Sequence, residues 1–188
     1  MADYNLDSLG WFQFEHLCQT LLRAGHGAAI EIWGGSSDRG RDAYSPSPLR
    51  FPDPQVTNQG PFIFQAKFVS NSIYLGDKAA TSLKKAVRAE AAEIRKRIGL
   101  KAWTKPRVYA LMSNVVANEA LRTDIQDILR PVLPDAKILI LGSRELSRDL
   151  DRFESIRTAY PQILGLTDLR TLISDAVNTD VRNRSTMS

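Results

Sequence analysis

The sequence has few of the residues that build disulfides and zinc sites. It contains one cysteine, Cys18, and two histidines, His16 and His26, among 188 residues. One cysteine forms no internal disulfide, and this set cannot supply the four Cys or His ligands of a structural zinc site. The glycine-rich phosphate loop GxxxxGK[ST] is also missing. A hydrolase made from this chain would therefore work with carboxylates, amides and lysine.

Long apolar runs are missing as well. No run approaches the roughly 18 apolar residues of a membrane-spanning helix. The first residues, MADYNLDSLGW, have neither the basic nor the apolar region of a signal peptide. The chain is 43% hydrophobic and 24% charged, which is typical of a globular protein. We therefore predict a cytoplasmic protein that does not bind membranes.

The positive charge is concentrated in the middle of the chain. The net charge of +4 divides into −3 for residues 1–60, +8 for residues 61–107 and −1 for residues 108–188. A local excess of lysine and arginine is typical of a surface that binds polyanions such as nucleic acids, although a solvated helix face has the same composition. The candidates for phosphate contacts are Lys84, Lys85, Arg88 and Arg95.

Hydrophobic periodicity predicts an α/β protein with a mixed central sheet flanked by helices. The predicted helices span residues 8–24 (capped by Asp7 or Ser8), 77–98 and 117–129. The predicted strands span residues 28–33, 41–44, 62–68, 107–112 and 137–141. Residues 45–60 hold four of the nine prolines and are predicted to form a loop. The helix between the last two strands predicts that they are parallel.

The character of the chain changes after residue 143. We predict one domain over residues 1–143 and a helical extension over residues 144–188, with short helices in 144–160 and 167–177. This extension either caps the core or is the first part of a linker to a further C-terminal domain. The sequence does not decide between the two.

Three polar residues stand out on the predicted strands. Asp42 follows a glycine-rich turn, and Gln65 and Lys67 lie two residues apart in the apolar stretch FIFQAKF. Side chains alternate along a strand, so Gln65 and Lys67 share a face with Ile63, while the phenylalanines share the other face. An ammonium group in such surroundings costs several kcal/mol unless it is paired or functional.

These residues have the chemistry of a phosphodiesterase site. If the strands of Asp42 and Lys67 are neighbours, one carboxylate, the Gln65 amide oxygen and the Ala66 carbonyl meet at one point. Oxygen ligands of this kind suit Mg²⁺. The lysine ammonium would orient an attacking water and offset charge on the phosphate.

The pattern resembles the PD-(D/E)xK nuclease superfamily, and in particular its Mrr-like branch, in which glutamine gives a D…QxK site. The matching stretches are FEHLCQTLL (14–22), GGSSDRGRDA (34–43) and FIFQAKF (62–68). The resemblance covers residues 8–112 and implies a restriction-endonuclease-like core with the order α-β-β-β-α-β. It extends to the N-terminal effector domains of some large bacterial defence NTPases, which would make the C-terminal extension a linker.

The resemblance implies a role for each matching residue. Asp42 would be a metal ligand, Gln65 a weaker ligand, Lys67 the catalytic lysine and Glu15 a support of the metal through water. The Ala66 carbonyl would complete the metal site. Mg²⁺ is the implied cofactor, Mn²⁺ a substitute, and double-stranded DNA the implied substrate. Because Gln65 is neutral, metal affinity is expected to be low.

Other interpretations remain open. Lys67 would also fit as a lysine extending from an edge strand to solvent, Asp42 as a residue that closes the turn, and Glu15 as a solvated helix residue. The functional alternatives are a nucleic-acid-binding module that has lost catalysis and a protein-interaction module. A homo-oligomer is possible in each case, and no interface is visible in the sequence.

Overall fold

The computed structural model describes residues 4–33, 41–98, 103–164 and 173–174. It is a mixed α/β structure built on a five-stranded sheet with strand order β1-β2-β5-β6-β7. The strands of this sheet are β1 (Glu31–Ile32), β2 (Ala43–Ser45), β5 (Phe62–Lys67), β6 (Val108–Ser113) and β7 (Lys137–Leu141). Strands β1, β2 and β5 pair antiparallel, and β5, β6 and β7 pair parallel, as the intervening helices require.

Helices cover both faces of the sheet. They are α1 (Gly10–His26), α2 (Ser72–Leu75), α3 (Asp77–Ile98), α4 (Glu119–Leu129), α5 (Ser143–Arg152) and α6 (Glu154–Ala159). The prediction for residues 77–98 matches α3, and the prediction for residues 137–141 matches β7. The prediction of a mixed sheet flanked by helices is therefore confirmed.

The alternation of side chains along β5 separates two hydrophobic clusters. Phe62 and Phe64 pack with α1 in the first cluster, which also contains parts of α5 and α6. Ile63 packs with α3 and α4 in the second. The predicted division of the FIFQAKF strand into two faces is confirmed, and Gln65 and Lys67 consequently project from the face that α3 covers.

Two local predictions near the N-terminus and the proline-rich segment were wrong. Residues Leu6–Leu9 form a 3-10 helix, so neither Asp7 nor Ser8 caps α1. The Asp7 carboxylate instead accepts hydrogen bonds from the Ser72 hydroxyl, the Ile73 backbone N–H and the Asn114 amide. The segment predicted as a loop contains a small hairpin of β3 (Leu49–Arg50) and β4 (Thr57–Asn58), which pair with each other and not with the main sheet.

The first part of the C-terminal extension packs on the core. Leu146 and Leu150 of α5, Ile156 of α6 and Ile163 of the following 3-10 turn are buried in the same cluster as α1. The predicted boundary after residue 143 therefore falls in the first turn of α5, a helix that shares the core. The helix predicted at 167–177 lies outside the described residues, except for positions 173–174.

In the described part of the chain, no helix has both the length and the apolar character needed to cross a bilayer.

Candidate active site

The candidate site lies at the junction of β2 and β5. Asp42 directly precedes β2, and its backbone N–H donates to the Phe64 carbonyl of β5. The Asp42 carboxylate oxygen Oδ2 accepts a hydrogen bond of 2.9 Å from Gln65 Nε2 and one of 2.5 Å from the Ala66 backbone N–H. Asp42 and Gln65 are both buried. The structure thus brings these two sequence-predicted residues into direct contact on the α3 side of the sheet.

The direction of the Ala66 carbonyl is inferred from the backbone hydrogen bonds of β5. The Phe64 carbonyl and the Ala66 N–H both face Asp42. Because the N–H and C=O of one strand residue point to the same side, the Ala66 carbonyl also faces β2 rather than β6. Since β2 begins at Ala43, this carbonyl lies at the open end of the β2–β5 pairing.

Lys67 lies on the same face but its ammonium group contacts a residue of α3. Lys67 Nζ donates to Glu90 Oε2 at 2.7 Å, and Arg97 donates to Glu90 Oε1 at 3.1 Å. The Glu90 side chain is 8% exposed, and those of Lys67 and Arg97 are each 21% exposed. One carboxylate is therefore shared by two cations in a mostly buried cluster, which carries a net charge of one positive unit.

Glu90 was missed by sequence reasoning, although the sequence contains a signal for it. Leu83, Val87, Ala91 and Ile94 form the buried stripe of α3 at spacings of three and four residues. Glu90 lies three residues after Val87 and four before Ile94, so it falls within this stripe. A carboxylate at such a position is buried and requires a cationic partner.

Glu15 reaches the site from α1, on the other side of the sheet, through Gln19. The buried Gln19 Nε2 donates to Glu15 Oε1 at 3.3 Å and to the Asp42 carbonyl at 3.0 Å. The pKa of the buried Cys18 thiol is raised well above its ordinary value, first by burial and then by the charges of Asp42 and Glu15. Both carboxylates are therefore near this part of α1. The supporting role implied for Glu15 stays a prediction.

Among the residues that the structure describes, several buried polar atoms lack hydrogen-bond partners, and two of them belong to the neighbouring strands β5 and β6. They are Gln65 Oε1 and the hydroxyl of Tyr109, which lies on β6 beside Ile63 in register. The pKa of Tyr109 is raised well above its ordinary value by burial first, and then by the charges of Glu90 and Asp42. The hydroxyl therefore lies within electrostatic reach of both carboxylates. An unsatisfied buried group of this kind costs about 1–3 kcal/mol.

The cost of the Tyr109 hydroxyl leads to a prediction for Tyr109→Phe. Removing a buried hydroxyl that has no hydrogen-bond partner among the described residues should leave the free energy of unfolding unchanged or raise it by about 1 kcal/mol. Urea unfolding of the wild type and the variant measures this difference. A loss of more than about 1 kcal/mol would mean that the hydroxyl is bonded in solution, for example to a water molecule.

The three oxygen donors of the candidate site fit a hard divalent cation, although only the Asp42 carboxylate among them carries a negative charge. Asp42 offers a carboxylate, Ala66 a carbonyl, and Gln65 a buried amide oxygen that has no hydrogen-bond partner in the described ranges of the chain. Mg²⁺ prefers oxygen ligands of these types. Among the described residues, however, no group of three or more His, Cys, Asp or Glu side chains is arranged to hold a metal ion. Such a site would bind metal weakly, because only one of its three donors is charged.

The predicted phosphate contacts are distributed unevenly. Lys85, Arg88 and Arg95 are exposed on α3, whereas Lys84 is ion-paired with Asp124 of α4 at 2.8 Å. At about 100° per residue, the three exposed side chains lie roughly 140° or more around the helix from Glu90. They therefore point away from the sheet and from Lys67. Their role in binding nucleic acid stays a prediction.

Comparisons with known proteins supply no family. The chain matches no protein-family model, and no curated protein or solved structure is significantly similar to it.

Proposed function

We propose that the protein is a Mg²⁺-dependent endonuclease that hydrolyses phosphodiester bonds in double-stranded DNA. The observation that carries this proposal is the contact of 2.9 Å between the Asp42 carboxylate and the Gln65 amide, on the face of β5 from which Lys67 also projects. Asp42 and Gln65 are 23 residues apart in the sequence, so the D…QxK pattern alone does not require that they touch.

The order of the elements also supports this proposal. The elements α1, β1, β2, β5, α3 and β6 occur in the order α-β-β-β-α-β. Two short insertions interrupt it: the β3–β4 hairpin between β2 and β5, and the helix α2 between β5 and α3. This order is the one implied by the resemblance to the restriction-endonuclease-like core. We accordingly propose that the chain has this core, in its Mrr-like form.

Each residue has a chemical task in the proposed reaction. Asp42, the Gln65 amide oxygen and the Ala66 carbonyl would hold Mg²⁺ or Mn²⁺, and such an ion supplies Lewis-acid stabilisation of phosphate charge. The Lys67 ammonium orients the attacking water and offsets the negative charge that grows on the phosphate oxygens. Glu15 would support the metal through water, and the Gln19 amide, which donates to both the Glu15 carboxylate and the Asp42 carbonyl, connects the two residues.

A cleavage assay on the wild type tests the proposal. Supercoiled plasmid and linear duplex are incubated with Mg²⁺, Mn²⁺ or EDTA. We expect nicking or linearisation with either ion and intact DNA with EDTA. Because the metal affinity is expected to be low, the assay includes millimolar ion concentrations. Intact DNA at every ion concentration would refute the endonuclease proposal.

A nucleic-acid-binding module without catalysis is the second candidate. This candidate is favoured because the polar groups of the site already have partners within the protein. Asp42 Oδ2 accepts two protein hydrogen bonds, and Lys67 is paired with Glu90. This candidate predicts that the logarithm of the affinity for DNA falls linearly with the logarithm of the salt concentration, and that no divalent ion supports cleavage. The third candidate, a protein-interaction module, predicts no salt-dependent binding to either DNA or RNA.

The proposed cellular setting comes from the resemblance of the sequence to the effector domains of bacterial defence NTPases. We propose that the protein acts on DNA in the cytoplasm, as an effector domain of anti-phage defence. A homo-oligomer would allow both strands of a duplex to be cut.

A further inference from the structure

Glu90 stands out among the buried charges of the described residues. It is a carboxylate with 8% exposure on the core-facing side of α3, and it bonds to Lys67 and Arg97. An apolar residue at this position would extend the buried stripe of Leu83, Val87 and Ile94 without any cost of desolvation. Packing alone therefore gives no reason for a carboxylate here, and its contact with Lys67 suggests one.

We propose that Glu90 is the positioning residue for Lys67 in the phosphodiesterase site. This inference rests on the proposed function, because it assigns to Glu90 a task in that reaction. Strand β5 fixes only the first atoms of the Lys67 side chain, and the rest of the four-carbon stem is flexible in the absence of a partner. The bond of 2.7 Å to Glu90 Oε2 fixes the ammonium end.

Arg97 completes this arrangement by holding Glu90 itself. Arg97 NH1 donates to Glu90 Oε1 at 3.1 Å, so each carboxylate oxygen has one cationic partner. The carboxylate is held at two points and cannot rotate without breaking one of them. Because two cations share one negative charge, the cluster keeps one net positive charge, which favours a phosphate nearby.

Because Gln65 is neutral, the Glu90 carboxylate is the acidic group that contacts Lys67. In the D…QxK pattern no second acidic side chain lies on β5 beside Lys67. The structure supplies one from α3 instead, 23 residues after Lys67. Unlike a metal ligand, Glu90 acts through Lys67, so its removal should alter the rate of the chemical step more than the binding of DNA.

The test compares Glu90→Gln with Glu93→Gln. Glu93 lies one turn further along α3 and is also ion-paired with a lysine, Lys96 at 2.6 Å, but this pair is largely exposed. We expect Glu90→Gln to lower kcat about 10- to 100-fold, because small misplacements of a catalytic group have effects of this size. The KM for DNA should change less than about threefold, and Glu93→Gln should match the wild type.

A conservative variant and a spectrum separate positioning from folding. Glu90→Asp keeps the charge but shortens the side chain, so its kcat should lie between those of the wild type and Glu90→Gln. Nitrogen–proton correlation spectra of the lysine ammonium groups, with the Lys67 signal assigned from Lys67→Met, report the contact directly. We expect a water-protected Lys67 signal in the wild type and in Glu93→Gln, and its loss in Glu90→Gln.

The outcomes are distinguishable. A wild-type kcat in Glu90→Gln overturns the inference. The inference is also overturned if Glu90→Gln and Glu90→Asp show the same loss of kcat together with the same loss of thermal stability. If Glu90→Gln does not fold, a wild-type kcat in Glu90→Asp overturns it, and an intermediate kcat with unchanged KM supports it. A wild type that cuts no DNA refutes the endonuclease proposal alone. The ammonium spectra then decide whether Glu90 fixes Lys67.

Discussion

Replacing Lys67 with methionine is expected to lower kcat for DNA cleavage at least about 100-fold, the effect of losing one group that stabilises transition-state charge. Methionine keeps most of the apolar stem and removes only the charged end, so packing at the end of β5 is retained. Single-turnover cleavage with saturating Mg²⁺ measures the loss without a contribution from product release.

The control for this variant is Lys96→Met. Lys96 is an ion-paired lysine of α3, and the same atoms are removed there. We expect Lys67→Met to lose about 1–3 kcal/mol of folding free energy as well, since within the described part of the chain Glu90 then keeps only its ion pair with Arg97. The assay is therefore run below the melting transition of both variants. Cleavage by Lys67→Met at the wild-type rate would contradict the role of Lys67.

Replacing Asp42 with asparagine is expected to remove both metal binding and cleavage. The amide oxygen of asparagine can still accept the hydrogen bonds from Gln65 and Ala66, so the substitution mainly removes the negative charge. At ten times its Kd, a cation that binds only the folded state stabilises it by about 1.4 kcal/mol. For a chain of this size this raises the Tm by about 3–5 °C.

Thermal unfolding with increasing Mg²⁺ or Mn²⁺ tests this expectation. The wild type should show the rise in Tm, and Asp42→Asn should show none. Asp53→Asn is the matched control, because the exposed Asp53 carboxylate also accepts a backbone hydrogen bond, at 2.8 Å from the Gln55 N–H. An equal rise in Asp42→Asn and the wild type would place any cation elsewhere and remove the metal from the proposed site.

The elements that were predicted from sequence are those with strong local signals. The long α3 has an apolar stripe at spacings of three and four residues, which reflects burial on one face. The strand β5 is a short apolar run that is buried on both faces. Neither signal depends on which elements pack there. The short hairpin β3–β4 was missed because two-residue strands between prolines have no periodicity to detect.

The candidate site was predicted in part. The shared face of Gln65 and Lys67 follows from the pleat of a single strand, but the contact of Asp42 with Gln65 depends on the pairing of β2 with β5 across a long connection. The contact of Lys67 with Glu90 depends on the way α3 packs on the sheet. Spacing along the chain contains little information about either contact.

The prediction of phosphate contacts shows the difference between charge in sequence and charge in space. Lys85, Arg88 and Arg95 are near Glu90 in the chain, yet helical geometry places them on the opposite face of α3. The angles around a helix, at about 100° per residue, would have been enough to place Lys85, Arg88 and Arg95 on the face opposite Glu90 from the sequence alone. Only the pairing of Lys84 with Asp124 required the tertiary structure.

The two faces of α3 have a consequence for how DNA would reach the site. A helix with its side chains is about 10 Å thick, so a backbone segment bound along Lys85, Arg88 and Arg95 is separated from Lys67 by the body of the helix. A single copy would then hold one stretch of a polyanion on its outer surface while a different stretch enters beside β5. The outer surface would recruit the substrate, and the distance between the two stretches would be set by the thickness of one helix.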